Sequence, residues 1–283
     1  MRNSINYSLA HGNLQVDLIE VIRFGQEVLC VFIVFLIGTA GSGKSLLTAS
    51  FAEWLKIGKQ NVITMNLDPG VLTLPYEPEI DVREYIDIER LMKEYGLGPN
   101  GALIMAADLI AEETETLRRE IEDFNPDLVL VDTPGQIELF AFRASGPYIV
   151  AELTTEPKAI IYLFDSVFSS DPLNYVSNLY LSAAVYNRFL TPQIHVLSKC
   201  DLLPKEKRNS VVDWSSKPGV LENAIEEKLS GTKLLLSLDM IHAIYRLGLK
   251  FHLIPVSAKT NEGLINLSAV IERALTRGEK FTL

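Results

Sequence analysis

Residues 31 to 45 read Val-Phe-Ile-Val-Phe-Leu-Ile-Gly-Thr-Ala-Gly-Ser-Gly-Lys-Ser, an unbroken apolar run that turns directly into Gly38-x-x-x-x-Gly43-Lys44-Ser45. A short apolar run without polar alternation is a strand buried on both faces, which belongs inside a parallel sheet with helices on either side. The octet after it suits a loop whose backbone N–H groups converge on one anion, since its glycines put no side chain in the way. Lys44 adds a mobile cation, Ser45 a hydroxyl for Mg2+, and the following helix aims its positive N-terminal end at the same point. Gly38, Thr39, Ala40, Gly41, Ser42, Gly43, Lys44, Ser45 and Leu46 are therefore expected to hold nucleotide phosphates.

The rest of the chain repeats the alternation. Leu47, Phe51, Trp54 and Leu55 recur at helical spacing from Lys44 to about Ile57, and Asn61 to Leu67 forms a second strand that ends in Asp68-Pro69-Gly70. Asp81 to Tyr95 reads as a helix, residues 96–101 as a loop and Ala102 to Phe124 as a second helix. Strands follow at Asp127 to Val131, Lys158 to Phe164, Gln193 to Leu197 and Lys250 to Val256. A helix capped by Asp171-Pro172 runs to about Leu190, and another closes the chain from about Glu262 to Arg277. The expected fold class is α/β of the P-loop NTPase kind, a mainly parallel sheet with helices on both faces and helical insertions. We expect one domain over 31–283, with insertions at about 81–124 and about 204–249; Pro204 to Lys217, the polar start of the second, is the segment expected to move. Residues 1–30 read as a loosely attached extension, or as an upstream region translated from a misplaced start.

Composition narrows the function. A formal charge of −10 and a pI near 5.0 disfavour a general nucleic-acid binder. Cys30 and Cys200 form neither a disulfide framework nor a metal-ligand spacing, which fits a reducing, cytoplasmic setting. The run at Val28 to Ile37 is about half the length of a membrane span, so no membrane association is expected.

The later strand ends choose among nucleotide chemistries. Asp132-Thr133-Pro134-Gly135 is the D-x-x-G pattern, with the aspartate near the Mg2+ shell and the Gly135 N–H free to meet a γ-phosphate. Ser198-Lys199-Cys200-Asp201 stands where a guanine-reading N-K-x-D belongs, with serine in place of asparagine. One carboxylate, that of Asp201, accepts from both N1–H and the amine of guanine, while the Lys199 stem lies over the base. Ser257, Ala258 and Lys259 follow the final strand and offer backbone N–H to guanine O6. An ATP-dependent enzyme of the MinD or nucleotide-kinase type is the alternative that these residues oppose.

In this order, with Gly98-Pro99-Asn100 between the Asp68 and Asp132 motifs and Ile137-Glu138 after Gln136, the chain resembles the GPN-loop GTPases. These are dimeric P-loop GTPases related to signal recognition particle and MinD-type proteins, and the resemblance covers residues 31 to about 278. It implies a homodimer that hydrolyses GTP with Mg2+ and in which Gly98, Pro99 and Asn100 of one subunit reach the other's phosphate, Asn100 serving where other GTPases use an arginine finger. Gln136 is the first candidate to orient water, with Asp132 and Glu138 close behind. Lys44 serves the transferred phosphoryl group, and Ser45, Asp68 and Asp132 form the metal set. The resemblance further implies a nucleotide-dependent assembly switch, with RNA polymerase subunits or assembly factors as clients and a client groove in the 204–249 insertion.

Other features read as structural. His11, His195, His242 and His252 share no ligand spacing. Tyr175, Tyr180, Tyr186 and Phe189 suit packing, and Glu112, Glu113 and Glu115 a solvated helix face.

Overall fold

The computed structural model describes residues 31–217, 219–246 and 251–276; the extension read at 1–30 lies outside them. In chain order the elements are β1 (Phe32–Gly38), α1 (Lys44–Ile57), β2 (Val62–Asn66), β3 (Ile80–Asp81), α2 (Ile88–Tyr95), α3 (Pro99–Glu112) and α4 (Thr114–Phe124). Next come β4 (Leu128–Asp132), α5 (Ile137–Ala141), α6 (Ser145–Glu152), β5 (Lys158–Asp165), α7 (Ser166–Ser169), α8 (Pro172–Phe189) and β6 (Gln193–Ser198). The chain continues through α9 (Lys205–Ser216), α10 (Val220–Glu226), α11 (Gly231–Arg246), β7 (Leu253–Pro255) and α12 (Leu264–Thr276).

The strands form one seven-stranded sheet in the order β3-β2-β4-β1-β5-β6-β7, with every pair parallel. β1 is central because it is the most apolar. Ile33, Phe35 and Ile37 enter one core layer and Val34 and Leu36 the other, as strand periodicity requires. None of the five is more than 1% exposed, and each such burial contributes about 1.5–3 kcal/mol. α1 and α12 cover the smaller layer through Leu47, Phe51, Leu55, Leu264, Leu267 and Ile271. The larger layer lies beneath α3 to α6, α8 and the insertion helices α9 to α11. Strand order changes direction beside β1, so the loops after β1, β2, β4, β5, β6 and β7 gather at the carboxyl edge where open α/β sheets bind ligands.

Three local readings are corrected. Residues 81–95 are not one helix: Ile80 and Asp81 pair with Met65 and Asn66 as β3, and α2 begins only at Ile88. The Asp81 and Asp87 side chains accept from Arg83 N and Arg90 N, and these local caps defeat a continuous helix. Gly98-Pro99-Asn100 is not loop throughout. Gly98 is the extended N-cap and Pro99 the first residue of α3, a position where proline's fixed φ is useful and its missing N–H costs nothing. The helix read at 102–124 breaks at Glu113, where Thr114 Oγ donates to Ala111 O at 2.9 Å. The helical insertion read at about 204–249 opens with α9. Its only buried residues, Val211 and Trp214, lie three apart and so share a face, and Ser215 Oγ accepts from Leu253 N of β7 at 3.1 Å.

Candidate functional site

The loop after β1 has the backbone its sequence requires. Gly41 and Gly43 sit at φ 72° and 93°, a region costly for side-chain-bearing residues. Gly43 is the N-cap of α1 and gives the helix no side-chain cap, and its first turn carries no acidic residue. The N-terminal amides of α1 thus remain open to an external anion. Lys44 is buried and donates from Nζ to Gly38 O at 2.9 Å and Thr39 O at 3.2 Å. Burial lowers its pKa, against the pull of Asp132 and then Asp68.

Beside it, Asp132 ends β4 with 1% of its surface exposed. Burial raises its pKa to about 6, opposed by Ser45, Lys44 and Tyr76. Tyr76 Oη donates to Asp132 Oδ2 at 3.2 Å, while the buried Oδ1 has no hydrogen-bond partner. An orphaned carboxylate oxygen near a serine hydroxyl and an ammonium suits a hard cation. Among the described residues no group of three or more His, Cys, Asp and Glu forms a metal cage; Asp132, Asp68 and Ser45 are the oxygens this edge offers. Asp68 is otherwise engaged: Oδ2 accepts from Gly135 N at 3.1 Å and Oδ1 from Gly70 N at 3.0 Å. Behind it, Asn66 Oδ1 accepts from Asp68 N, and Asn66 Nδ2 donates to Asp81 Oδ1, which also takes the Arg83 guanidinium. Arg83 Nη1 reaches on to Val71 O, closing the turn.

A second region opens at the ends of β6 and β7. A cavity of about 180 Å3 is lined by Gly43, Leu46, Ser198, Lys199, Asp201, Ala258 and Lys259, among others. Cys200 N donates to Val256 O and Val256 N to Leu197 O, and these bonds bring residues 199–201 beside 257–259. Ser198 Oγ donates to Ser42 O at 2.7 Å, binding this segment to the phosphate loop. Lys199 is left-handed at φ 55°, and its carbonyl accepts from Ser166 Oγ at 2.7 Å. Its ammonium bonds to Asp165 Oδ2 at 2.7 Å and to Gly41 O, which lays the stem along Gly43. Ser257 N donates to Glu262 O, so within the segment 257–259 the amides free of a backbone acceptor are those of Ala258 and Lys259. Asp201 is exposed at the rim.

The structure does not bring every expected residue together. Gln136 and Glu138 are exposed at the start of α5, and no hydrogen bond is recorded for either side chain. Gly98, Pro99 and Asn100 are exposed and line neither of these regions. The helix they begin packs beside the Asp68 turn further along, where a Cβ on Gly70 would lie 2.7 Å from Leu103. Sequence reasoning missed Tyr76, Asp165, Ser166 and the Asn66-Asp81-Arg83 set. The Asp81-x-Arg83 spacing after a strand was a signal for the last; Tyr76, in Pro75-Tyr76-Glu77-Pro78, carried none.

A parallel sheet with this loop and these strand-end residues defines a P-loop NTPase. The family model described as "Conserved hypothetical ATP binding protein" matches residues 36–277. A GPN-loop GTPase of Pyrococcus abyssi is 38% identical over 181 residues, 62% of this chain and 70% of that one. GPN-loop GTPase QQT2 of Arabidopsis thaliana is 30% identical over 83% of this chain and 62% of its own, and GPN-loop GTPase 1 of Saccharomyces cerevisiae 32% identical over 68% and 50%. The chain thus spans about half to two thirds of those two eukaryotic relatives. The crystal structure of a Pyrococcus abyssi GTPase in apo form superposes with TM-score 0.77 at 31% identity, over 87% of this chain and 98% of that one. The chain belongs to the GPN-loop GTPase family.

Proposed function

We propose that this chain binds GTP and GDP with residues 38–46 on the phosphates and Asp201 on the base, and hydrolyses GTP to GDP and phosphate. The observation that carries the guanine reading is the gathering of Asp201 and the Ala258 and Lys259 amides around one cavity beside the phosphate loop. Guanine meets such a site with two adjacent donors and the O6 acceptor, whereas adenine offers Asp201 no such donor pair. Lys199, held by Asp165, covers the base face.

At the phosphate end, Lys44 exchanges its bonds to Gly38 O and Thr39 O for phosphate oxygens, and Gly135 N–H exchanges Asp68 for the γ-phosphate. Ser45 and Asp132, with Asp68 nearby, fit Mg2+, which when bound neutralises charge on the β- and γ-phosphates. Water attacks the γ-phosphorus, the bond to the β-phosphate oxygen breaks, and the water proton leaves to phosphate or solvent; Gln136 is the first candidate to orient that water, followed by Asp132 and Glu138. The chain acts as a homodimer in which Asn100 completes the partner's site. Supporting this are the exposure of residues 98–100, the uncapped N-terminus of α3, and apolar Leu72, Tyr95, Ile104 and Tyr148 exposed on the surface. A nucleotide-dependent switch for clients such as RNA polymerase subunits or assembly factors, in the cytoplasm and without direct nucleic-acid contact, extends the reading. Exposed Leu235 and Leu236 on α11 suit such a client surface. Among the described residues no helix is long and apolar enough to cross a membrane.

Competition between GTP and ATP tests the base site. Asp201→Asn should reduce guanine preference at least roughly tenfold, because removal of a charged acceptor for two hydrogen bonds costs about 1.5–3 kcal/mol. Full GTP selectivity in this variant would overturn the assignment, and equal competition by ATP in the wild type would favour the ATP-dependent alternative.

A further inference from the structure

We infer that Tyr76 is a positioning residue for the metal-site carboxylate, its hydroxyl holding Asp132 Oδ2 so that Oδ1 stays presented for Mg2+. This rests on the reading of Asp132 and Ser45 as the Mg2+ site. The terminal torsion of an aspartate is broad and two-fold, so an unrestrained carboxylate rotates freely. Here Oδ2 takes the Tyr76 hydroxyl at 3.2 Å, while the buried Oδ1 has no hydrogen-bond partner and the Ser45 hydroxyl lies close to the carboxylate. A phenol suits this task better than a lysine would, because it fixes the oxygen without neutralising the charge that attracts the cation. Burial, with Asp132 beside it, keeps the phenol protonated far above its ordinary range.

Tyr76 is itself held. Its ring lines a groove with Ala52, Lys56 and Thr64, between α1 and the strand-to-strand segment before β3. Three residues on, Glu79 is tied to the neighbouring elements by four contacts. Its carboxylate accepts from Thr64 N, Thr64 Oγ and Lys56 Nζ, and its own N–H donates to Thr64 O. The hydroxyl thus hangs from a short tether whose far end is fixed to β2 and α1. A hydrogen bond from such a supported side chain to a metal-binding group typically accounts for 10–100-fold in metal affinity. The low end is expected here, since nucleotide oxygens share the coordination.

Tyr76→Phe keeps the ring in its groove and deletes only the donor. The measurement is release of a fluorescent GDP analogue from the whole purified chain as Mg2+ is titrated, with release in EDTA and thermal melting without nucleotide measured alongside. We expect the Mg2+ concentration for half-maximal slowing of release to rise roughly tenfold, with release in EDTA and melting unchanged. An unchanged Mg2+ midpoint overturns the role of Tyr76, and so does an equal acceleration with and without Mg2+, which would mark a packing effect. Absence of any Mg2+ response in the wild-type protein would instead overturn the metal-site reading on which the inference rests.

Discussion

Ser198 occupies a position that asparagine fills in the N-K-x-D pattern, and its contacts show what the substitution retains. Its hydroxyl donates to Ser42 O at 2.7 Å and lies 3.2 Å from Phe164 O, so a single short side chain links the base segment, the phosphate loop and β5. A longer amide is not needed for that link because β6 already brings Ser198 against the loop. Histidine 195 illustrates the opposite case, a chemically capable residue used for packing. It is buried between Phe164 and Phe251, with the Gln193 amide nitrogen 3.0 Å from Nε2. Enclosed by these groups and without a carboxylate partner among its hydrogen bonds, the ring is held in its neutral form by burial. Burial lowers its pKa from 6.5 to about 3. The folded state therefore binds fewer protons than the unfolded one between those values, and stability is lost as pH falls below 6.5. The loss amounts to about 2 kcal/mol at pH 5. Denaturant unfolding at pH 7 and pH 5 should show this difference in the wild type and about 2 kcal/mol less of it in His195→Leu; an identical pH dependence in both would contradict a neutral buried imidazole.

At the scale of elements, the segment after Asp132 is where rigidity and chemistry meet. Thr133 Oγ donates to Leu36 O at 2.7 Å, fixing the start of the turn to β1. α5 then packs Ile137, Leu139 and Phe140 inward, and α6 crosses so closely that a Cβ on Gly146 would fall 1.7 Å from Phe140 O. Arg188 of α8 donates to Ala141 O, and Arg143 donates to Asp108 of α3. The Gly135 turn and the helix that begins at Pro99 are thus mechanically joined. Gly146→Ala must push α5 away, at a cost of about 1–3 kcal/mol. We expect GTP turnover to fall at least roughly tenfold while GDP affinity changes by less than about threefold, because the base cavity lies on the other side of β1. Equal losses in both quantities, read from turnover assays and GDP titration, would mean that the substitution disturbs the whole sheet.

The whole-molecule question is whether one chain completes the site. Lys44 lies in the phosphate loop, whereas Asn100 is exposed and absent from the lining of the nucleotide cavity. Two-fold symmetry makes the proposed sharing testable by mixing. In a dimer of one Lys44→Ala and one Asn100→Ala subunit, one site has both defects and the other has neither. Random exchange of equal amounts should thus restore about a quarter of wild-type GTP turnover from two poorly active parents. Activity no higher than the mean of the parents would show that Asn100 does not act across subunits.

Sequence alone was sufficient for what repeats or is local. The buried runs at β1, β4, β5 and β6, the Gly43-Lys44-Ser45 turn and the Asp171-Pro172 helix start follow from periodicity and from backbone rules that act within a few residues. The α/β class followed because only a two-faced sheet buries such runs. Tertiary structure decided whatever depends on partners distant in the chain. The strand order, the short β3 at the sheet edge and the bond from Tyr76 to Asp132 across 56 residues are of this kind. So is the engagement of Gly135 by Asp68 across 67 residues. A hydrogen bond between distant strand ends leaves no spacing rule in the sequence, because the sheet, and not the chain between, sets its length.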